Sequence, residues 1–336
     1  MDMANIAVIG AGTWGTALAA LLIGNGHSVT LWAYLEEEKE NLESTRVHPN
    51  LKGVTLPETL AVTTDLKEAC ADRDLIVLAV PSTATRATAH NMNGLIPDGQ
   101  QIITVSKGIE EGTLKSQCEI IEEELPMASV GILSGPSHAE EVIKKLPAAV
   151  VAGAKDRRLA VFTQELFMND YFRVYTSPDV HGIEVGGSLK NVIALAAGMS
   201  DGLAFGDNAR AALMTRGIKE ISALAQAMGG EPETLSGLTG IGDLIVTCSS
   251  VHSRNHMAGY YIGQGMDTES AMKKVNMVVE GVHSAKAAKA LGEKYGIELP
   301  IITTVNEVLF DGKTAAEAVT ELMRRNKKSE IERMTW

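Results

Sequence analysis

The feature that most constrains the fold is a glycine-rich turn near the amino terminus. An apolar run over 6–9 ends in Gly10, Gly12 and Gly15, and a helix-like segment and a second apolar run follow within about thirty residues. In a strand–turn–helix–strand unit, the first glycine permits the tight turn, the second lets the backbone approach a pyrophosphate, and the third allows close helix–strand packing. The pattern therefore predicts a dinucleotide site on the helix N-terminus, with a purely structural glycine turn as the alternative.

Further apolar runs over 75–80, 102–105 and 130–133 are typical of parallel strands that are covered on both faces. Polar residues follow each run, including Lys107 and the segment 134–138. Ligands bind beyond the carboxyl ends of such strands, so we expect Lys107 to point into the cofactor cleft. The alternative is a loop lysine that faces solvent.

Two more candidate strands, 148–152 and 172–176, precede a change to helical patterning after Pro178. A length of 336 residues favours two domains. The sequence therefore predicts an α/β protein with an N-terminal Rossmann-type doubly wound sheet over 1–180, followed by an all-helical C-terminal domain over 181–336.

Lys190 is the only charged residue between Glu184 and Asp201, in a stretch that is typical of a buried helix. A buried ammonium needs a partner or a chemical task. Gly186 and Gly187 share its helical face, and we expect them to leave room for a small molecule. The alternatives are a lysine that reaches the surface and one that pairs with a structural carboxylate.

Three polar breaks interrupt the helical half. Asp243 stands between glycines and an apolar run, with Thr247 one turn later, although a helix N-cap would explain Asp243 equally well. Ser253 and Arg254 open another helix, where a guanidinium suits a phosphate; a surface arginine behind a serine cap is the alternative. Glu280 marks the third break, also at a helix start.

Composition excludes several classes of function. The three cysteines and eight histidines show no metal-ligand spacing, so we expect no metal site. A net charge of −12 disfavours nucleic acid as a partner. No signal peptide and no sufficiently long apolar run is evident, which predicts a cytoplasmic protein without stable membrane insertion. The apolar C-terminal helices could form a homodimer interface or only a second core.

The sequence leaves the choice between NAD(H) and NADP(H) open. NAD selectivity usually needs an acidic residue at the end of the second strand, and NADP selectivity an arginine near it. Here that strand ends in Trp32-Ala33-Tyr34. Glu36 and its acidic neighbours are more typical of an exposed helix start.

A series of short motifs runs in order along nearly the whole chain, at 10–18, 106–108, 134–137, 172–175, 187–194, 198–202, 240–244, 253–255 and 279–281. Jointly they resemble the family of bacterial NAD(P)-dependent glycerol-3-phosphate dehydrogenase. One departure is visible, because the family often has arginine directly after the second strand, where this chain has Ala33 and Tyr34.

The resemblance implies a role for each matching residue. Lys190 would be the proton donor and acceptor, assisted by Asp243 and Lys107. The cofactor-binding residues implied are Gly10, Gly12, Thr13, Trp14, Gly15, Lys107, Ala139, Arg254 and Glu280, and we expect Tyr34, at the departure from the family, to lie with them. The substrate-binding residues implied are Lys107, Gly135, Ser137, Lys190, Asn191, Asp243, Thr247, Ser253, Arg254 and Asn255.

The reaction implied is hydride transfer between NAD(P)H and the phosphorylated three-carbon substrate dihydroxyacetone phosphate, which would supply glycerol 3-phosphate for phospholipid synthesis. A related β-hydroxyacid dehydrogenase is one alternative, although there the lysine and asparagine stand one turn apart, whereas Lys190 and Asn191 are adjacent. A lyase that forms a Schiff base on Lys190 and a nucleotide sensor without turnover are the others.

Overall fold

The computed structural model describes residues 3–327 and 329–330, which form one eight-stranded sheet and a set of helices. The strands are β1 Asn5–Ile9, β2 Ser28–Trp32, β3 Ala61–Thr63, β4 Leu75–Leu78, β5 Gln101–Thr104, β6 Ser129–Ser134, β7 Ala148–Ala154 and β8 Phe172–Ser177. Their spatial order is β3-β2-β1-β4-β5-β6-β7-β8.

Strands β1 to β6 are parallel, so their carboxyl ends meet at one edge of the sheet. In β1, Ile9 pairs with Trp32 on one side and with Leu78 on the other, directly before the glycine turn. Strand β7 is antiparallel to β6 and parallel to β8. The predicted doubly wound sheet is confirmed, with two outer strands, β7 and β8, that run opposite to the other six, and with the additional short strand β3.

Helices pack on both faces of the sheet and form most of the second half of the described chain. They are α1 Thr13–Gly24, α2 Glu36–Thr45, α3 Leu66–Cys70, α4 Thr85–Met92, α5 Gln117–Glu124, α6 Ala139–Val142, α7 Arg157–Phe167, α8 Val180–Gly202, α9 Asp207–Ala227, α10 Pro232–Leu235, α11 Asp243–Ser249, α12 Arg254–Gly263, α13 Thr268–Val275, α14 Glu280–Tyr295, α15 Pro300–Phe310 and α16 Ala315–Met323. A π-helical turn, Leu238–Gly242, leads directly into α11. No strand follows β8 in the described residues, as predicted for an all-helical second half.

Helix α8 is the central element of the helical half, and every residue over 182–200 is buried. It crosses α12 with backbone in contact with backbone. A Cβ atom at Gly198 would collide with the carbonyl oxygen of His256, and one at Gly259 with that of Leu195. The crossing therefore depends on glycine on both helices, and it fixes the first turn of α12 beside α8.

Glu184, on the first half of α8, ties the helical half to the sheet half. Its carboxylate accepts hydrogen bonds from Ser116 Oγ at 2.6 Å and from the backbone N–H of Cys118 at 2.8 Å, at the start of α5. Complete burial raises the pKa of Glu184 to about 7, although both hydrogen bonds oppose that shift. A carboxyl group that titrates near neutrality therefore lies between the two halves.

Candidate active site

The glycine turn after β1 forms a cradle at the N-terminus of α1. Gly10 has φ +122°, and a Cβ atom there would lie 2.7 Å from the carbonyl oxygen of Ala79, so only glycine fits. Among the described residues, nothing lies within 4 Å of a Cβ built on Gly12, and no side chain caps α1. The free N–H groups and the open approach at Gly12 fit the pyrophosphate of a dinucleotide.

Thr13 and Trp14 follow in the first turn of α1 and connect the cradle to its neighbours. Thr13 Oγ1 accepts a hydrogen bond from Asn50 Nδ2 at 3.3 Å. The half-buried Trp14 ring packs against the cluster that contains Leu51 and Ala139. Ala139, the first residue of α6, is thereby held beside the glycine turn.

A buried cluster of three charges lies between the two halves of the chain. Lys190 Nζ donates to Asp243 Oδ1 at 2.5 Å and to Thr247 Oγ1 at 2.7 Å. Lys107 Nζ donates to the other carboxylate oxygen, Oδ2, at 2.6 Å and to the carbonyl oxygen of Gly135 at 3.2 Å. Asp243 thus joins a lysine from the sheet edge to the lysine of α8, and each ammonium retains one N–H not used in these contacts.

Close packing between α8 and the π-helical turn explains how Asp243 reaches Lys190. A Cβ atom at Gly186 would lie 2.7 Å from the carbonyl oxygen of Thr239. Lys190 stands four residues after Gly186, and Asp243 stands four residues after Thr239. The close contact between Gly186 and Thr239 therefore brings Lys190 and Asp243 together one turn further along. Asp243 follows the N-cap of α11, Gly242, and its side chain binds the two lysines, so the N-cap alternative is wrong.

The expected ligand space over the glycines of α8 is filled by protein. The turn that contains Thr239 occupies the surface of Gly186. A Cβ atom at Gly187 would lie 3.0 Å from Ser134 Oγ and 3.7 Å from the side-chain carbons of Lys107. The expectation that these glycines leave room for a small molecule is therefore wrong, because they serve close packing around Lys190 and Lys107.

The electrostatics of the cluster favour proton exchange at Lys190. Burial lowers the pKa of Lys190 to about 8; the charge of Lys107 acts in the same direction and Asp243 opposes it. For Asp243, burial alone would raise the pKa, but the two ammonium groups outweigh burial and lower it. Asp243 is therefore a stable carboxylate, whereas Lys190 can lose or gain a proton near neutral pH.

The start of α12 lies against Asn191, the residue after Lys190. Ser253 Oγ caps the helix by accepting a hydrogen bond from the N–H of His256 at 3.2 Å. Arg254 is exposed, while the next residue, Asn255, is buried and donates to Asn191 Oδ1 at 3.0 Å. Asn255 Oδ1 also accepts from the N–H of Gly281 at 2.8 Å, so α8, α12 and α14 are joined at this point.

The loop after β6 faces this cluster from the sheet. Gly135 has φ +141°, and a Cβ atom there would lie 2.9 Å from Cα of Val150. The carbonyl oxygen of Gly135 accepts hydrogen bonds from Lys107 Nζ and, at 3.0 Å, from Ser137 Oγ. Residues 135–137 are therefore part of the same cleft as Lys107.

Two predicted cofactor residues have surroundings that the sequence did not indicate. The Glu280 carboxylate accepts hydrogen bonds from the N–H of Ser82 at 3.1 Å and from its hydroxyl group, four residues after the end of β4. Ser82 was missed as the partner of Glu280, although its position after a strand was a signal. Tyr34 is 77% exposed at the end of β2, with its ring 5.9 Å from that of Trp32.

Within the described residues, no single helix has the length and apolar character needed to cross a membrane. The bent pair Pro232–Ser249 and Arg254–Gly263 passes that test only when both members are taken together.

Comparison with known proteins assigns both halves of the chain to one family. Residues 5–160 match the family described as NAD-dependent glycerol-3-phosphate dehydrogenase N-terminus, and residues 179–320 match its C-terminus.

Full-length relatives agree with these matches. The chain is 56% identical over 335 residues to a glycerol-3-phosphate dehydrogenase [NAD(P)+] of Agathobacter rectalis, covering 99% of this chain and 100% of that protein. It is 55% identical to the protein of that name from Fusobacterium nucleatum, covering 98% and 99%. The crystal structure of glycerol-3-phosphate dehydrogenase from Coxiella burnetii superposes with a TM-score of 0.92 at 37% identity, covering 96% and 99%.

Proposed function

Because the chain belongs to the NAD(P)-dependent glycerol-3-phosphate dehydrogenase family, we propose that it interconverts dihydroxyacetone phosphate and sn-glycerol 3-phosphate by direct hydride transfer. The observation that carries this proposal is the buried Lys190, which has a pKa of about 8 and lies against Asp243 in a chain that also has a dinucleotide cradle. When bound, the nicotinamide dinucleotide supplies the hydride.

Lys190 is the proposed general acid and base. Two of its three N–H groups are used by Asp243 and Thr247, which leaves the third for the oxygen on C2 of the substrate. During reduction the ammonium gives its proton to that oxygen, and in the reverse direction the amine takes it back. A pKa of about 8 keeps both protonation states accessible near neutral pH, as an efficient acid–base group requires.

Asp243 and Lys107 position that proton. The carboxylate fixes the ammonium of Lys190 on one side and holds Lys107 on the other, so neither cation needs to reorganise as charge develops on the substrate oxygen. The free N–H of Lys107 is available to a substrate oxygen, which supports a catalytic role for both residues.

The phosphate group of the substrate is assigned to the start of α12. The exposed guanidinium of Arg254 and the N–H groups behind the Ser253 cap can hold an anion there. Gly135, Ser137, Asn191, Thr247 and Asn255 complete the proposed substrate site. Binding at one end of a three-carbon molecule would fix its reacting carbon against Lys190.

The cofactor would lie along the sheet edge, with its pyrophosphate on Gly10, Gly12 and Gly15. We assign Thr13, Trp14, Tyr34, Ala139 and Glu280 to its surroundings.

Four further points stay predictions. They are the division at about residue 180, the supply of glycerol 3-phosphate to phospholipid synthesis, the homodimer and the cytoplasmic location.

The test is whether the purified protein consumes NADH or NADPH when dihydroxyacetone phosphate is added. The absorbance of the reduced cofactor measures its consumption. Turnover with the phosphorylated ketone, and weak turnover with unphosphorylated dihydroxyacetone, is the expected result. Absence of turnover with both cofactors would contradict the proposal. A substrate adduct on Lys190 trapped by borohydride would favour the lyase alternative.

A further inference from the structure

His138 is a polar residue of the cleft to which no role has yet been assigned. It stands between the loop after β6 and α6, directly after Ser137. Its Nε2 atom is fully buried and has no hydrogen-bonding partner among the described residues, and the same holds for Ser134 Oγ at the end of β6. Unpaired buried polar atoms are rare in native proteins, and two within five residues, on either side of Gly135 and Ser137, point to a ligand contact in this segment.

His138 is half-buried and lies beside the segment that leads into α12. Its ring lies 5.9 Å from the ring of His252, which immediately precedes Ser253 and Arg254. It is also close enough to the catalytic cluster for the charge of Lys190 to affect it. Burial first, and then Lys190, lower the pKa of His138, while Asp243 and the nearby Glu140 and Glu141 act in the opposite direction.

A neutral imidazole suits a hydroxyl group better than a phosphate dianion, because it adds no charge and can donate or accept a hydrogen bond. In the proposed function, Arg254 and the start of α12 take the phosphate, and Lys190 takes the oxygen on C2. The remaining polar group of the substrate is the hydroxyl at its free end, and no residue named so far has been paired with that hydroxyl in particular.

We propose that Nε2 of His138 hydrogen-bonds the free terminal hydroxyl of the three-carbon substrate, and that His138 thereby determines selectivity for a hydroxylated substrate. The proposal rests on the proposed function, because it presupposes that a phosphorylated ketone binds in this cleft. It makes His138 a specificity-determining contact and gives it no part in the proton transfer.

The experiment compares two substrates in three variants. Dihydroxyacetone phosphate carries the terminal hydroxyl, whereas acetonyl phosphate, which has the same carbonyl and phosphate groups, lacks it. His138→Phe keeps a ring but removes the polar atom, and His138→Gln returns an amide near the position of Nε2. His252→Phe is the control, because it preserves the ring contact at an exposed position.

We expect His138→Phe to lower kcat/KM for dihydroxyacetone phosphate by roughly 2- to 10-fold, the range of one neutral hydrogen bond, and to leave kcat/KM for acetonyl phosphate unchanged. His138→Gln should recover part of the lost selectivity, and His252→Phe should keep that of the wild type. The thermal midpoint of each variant separates a folding defect from a lost contact, since a folding defect affects both substrates equally.

Other outcomes overturn the inference without affecting the proposed function. An equal loss with both substrates would move His138 to the phosphate or to a structural role. A raised KM for the dinucleotide alone would move it to the cofactor. Unchanged selectivity in His138→Phe would exclude any contact with the hydroxyl, while wild-type turnover of dihydroxyacetone phosphate would still support the proposed function.

Discussion

Lys190 Nζ donates to Asp243 Oδ1 over 2.5 Å, although the two residues are 53 positions apart in the chain. The second oxygen of the carboxylate is bound by Lys107. One buried carboxylate therefore neutralises part of the charge of two lysines while leaving one N–H of each available. This arrangement explains why a lysine lies inside an apolar helix. The charge of Lys190 is paired with Asp243, and its pKa of about 8 suits proton transfer near neutral pH.

Replacing Lys190 tests its role as the acid–base group. Lys190→Met keeps a long unbranched side chain but removes the proton, so we expect kcat to fall by roughly 10²- to 10⁴-fold, the usual contribution of a positioned acid–base group. Steady-state kinetics measures this loss, with the exposed Lys273→Met on α13 as the control. Near-normal turnover in Lys190→Met would remove Lys190 from the mechanism.

Asp243 is expected to set the pH at which Lys190 loses its proton. In the wild type, reduction requires the ammonium form and should therefore decline as pH rises through about 8. Asp243→Asn removes the charge that favours the ammonium, so the pKa of Lys190 falls further and the decline should begin at lower pH. The measurement is the pH dependence of kcat for reduction in both proteins. A profile that shifts to higher pH in Asp243→Asn, or does not shift, contradicts this account.

Arg254 should contribute to binding rather than to chemistry. Arg254→Gln removes the charge that faces the phosphate, and charge-assisted hydrogen bonds of this kind correspond to roughly a 10- to 100-fold rise in KM for dihydroxyacetone phosphate. The kcat of Arg254→Gln should change much less than its KM. Kinetics with unphosphorylated dihydroxyacetone is the internal control, since that substrate has nothing for the guanidinium to bind. An unchanged KM for the phosphorylated substrate would remove the assigned role.

Much of the fold could be predicted because buried parallel strands leave continuous apolar runs, as in β4 and β5, and because the glycine turn has a fixed spacing. Strand β3 has only three residues and leaves no such run. Its place in the sheet comes from pairing with β2, which no local pattern records.

The site was harder to predict, because its contacts depend on how helices pack. Asp243 could equally have been an N-cap, and only the close approach of Thr239 to Gly186 brings it to Lys190. The same approach fills the space that the glycines of α8 were expected to offer a ligand. Glu184 drew no attention in the sequence either, since its burial results from the contact between α8 and α5.

Glu184 should make stability depend on pH. Its pKa is raised from 4.5 to about 7 in the folded protein, so the native state keeps the proton to higher pH than the unfolded chain does. The stabilising contribution is fully present below about pH 4.5, decreases as pH rises towards 7, and is absent above it, a change on the order of 3 kcal/mol.

Glu184→Gln resembles the protonated form at every pH. The variant should therefore come close to the wild type in thermal midpoint at pH 5 and exceed it clearly at pH 8. Glu220, whose pKa burial also raises to about 7, is present in both proteins, so its contribution cancels in the comparison. Parallel curves for the two proteins from pH 5 to pH 8 would show that Glu184 does not titrate in this range.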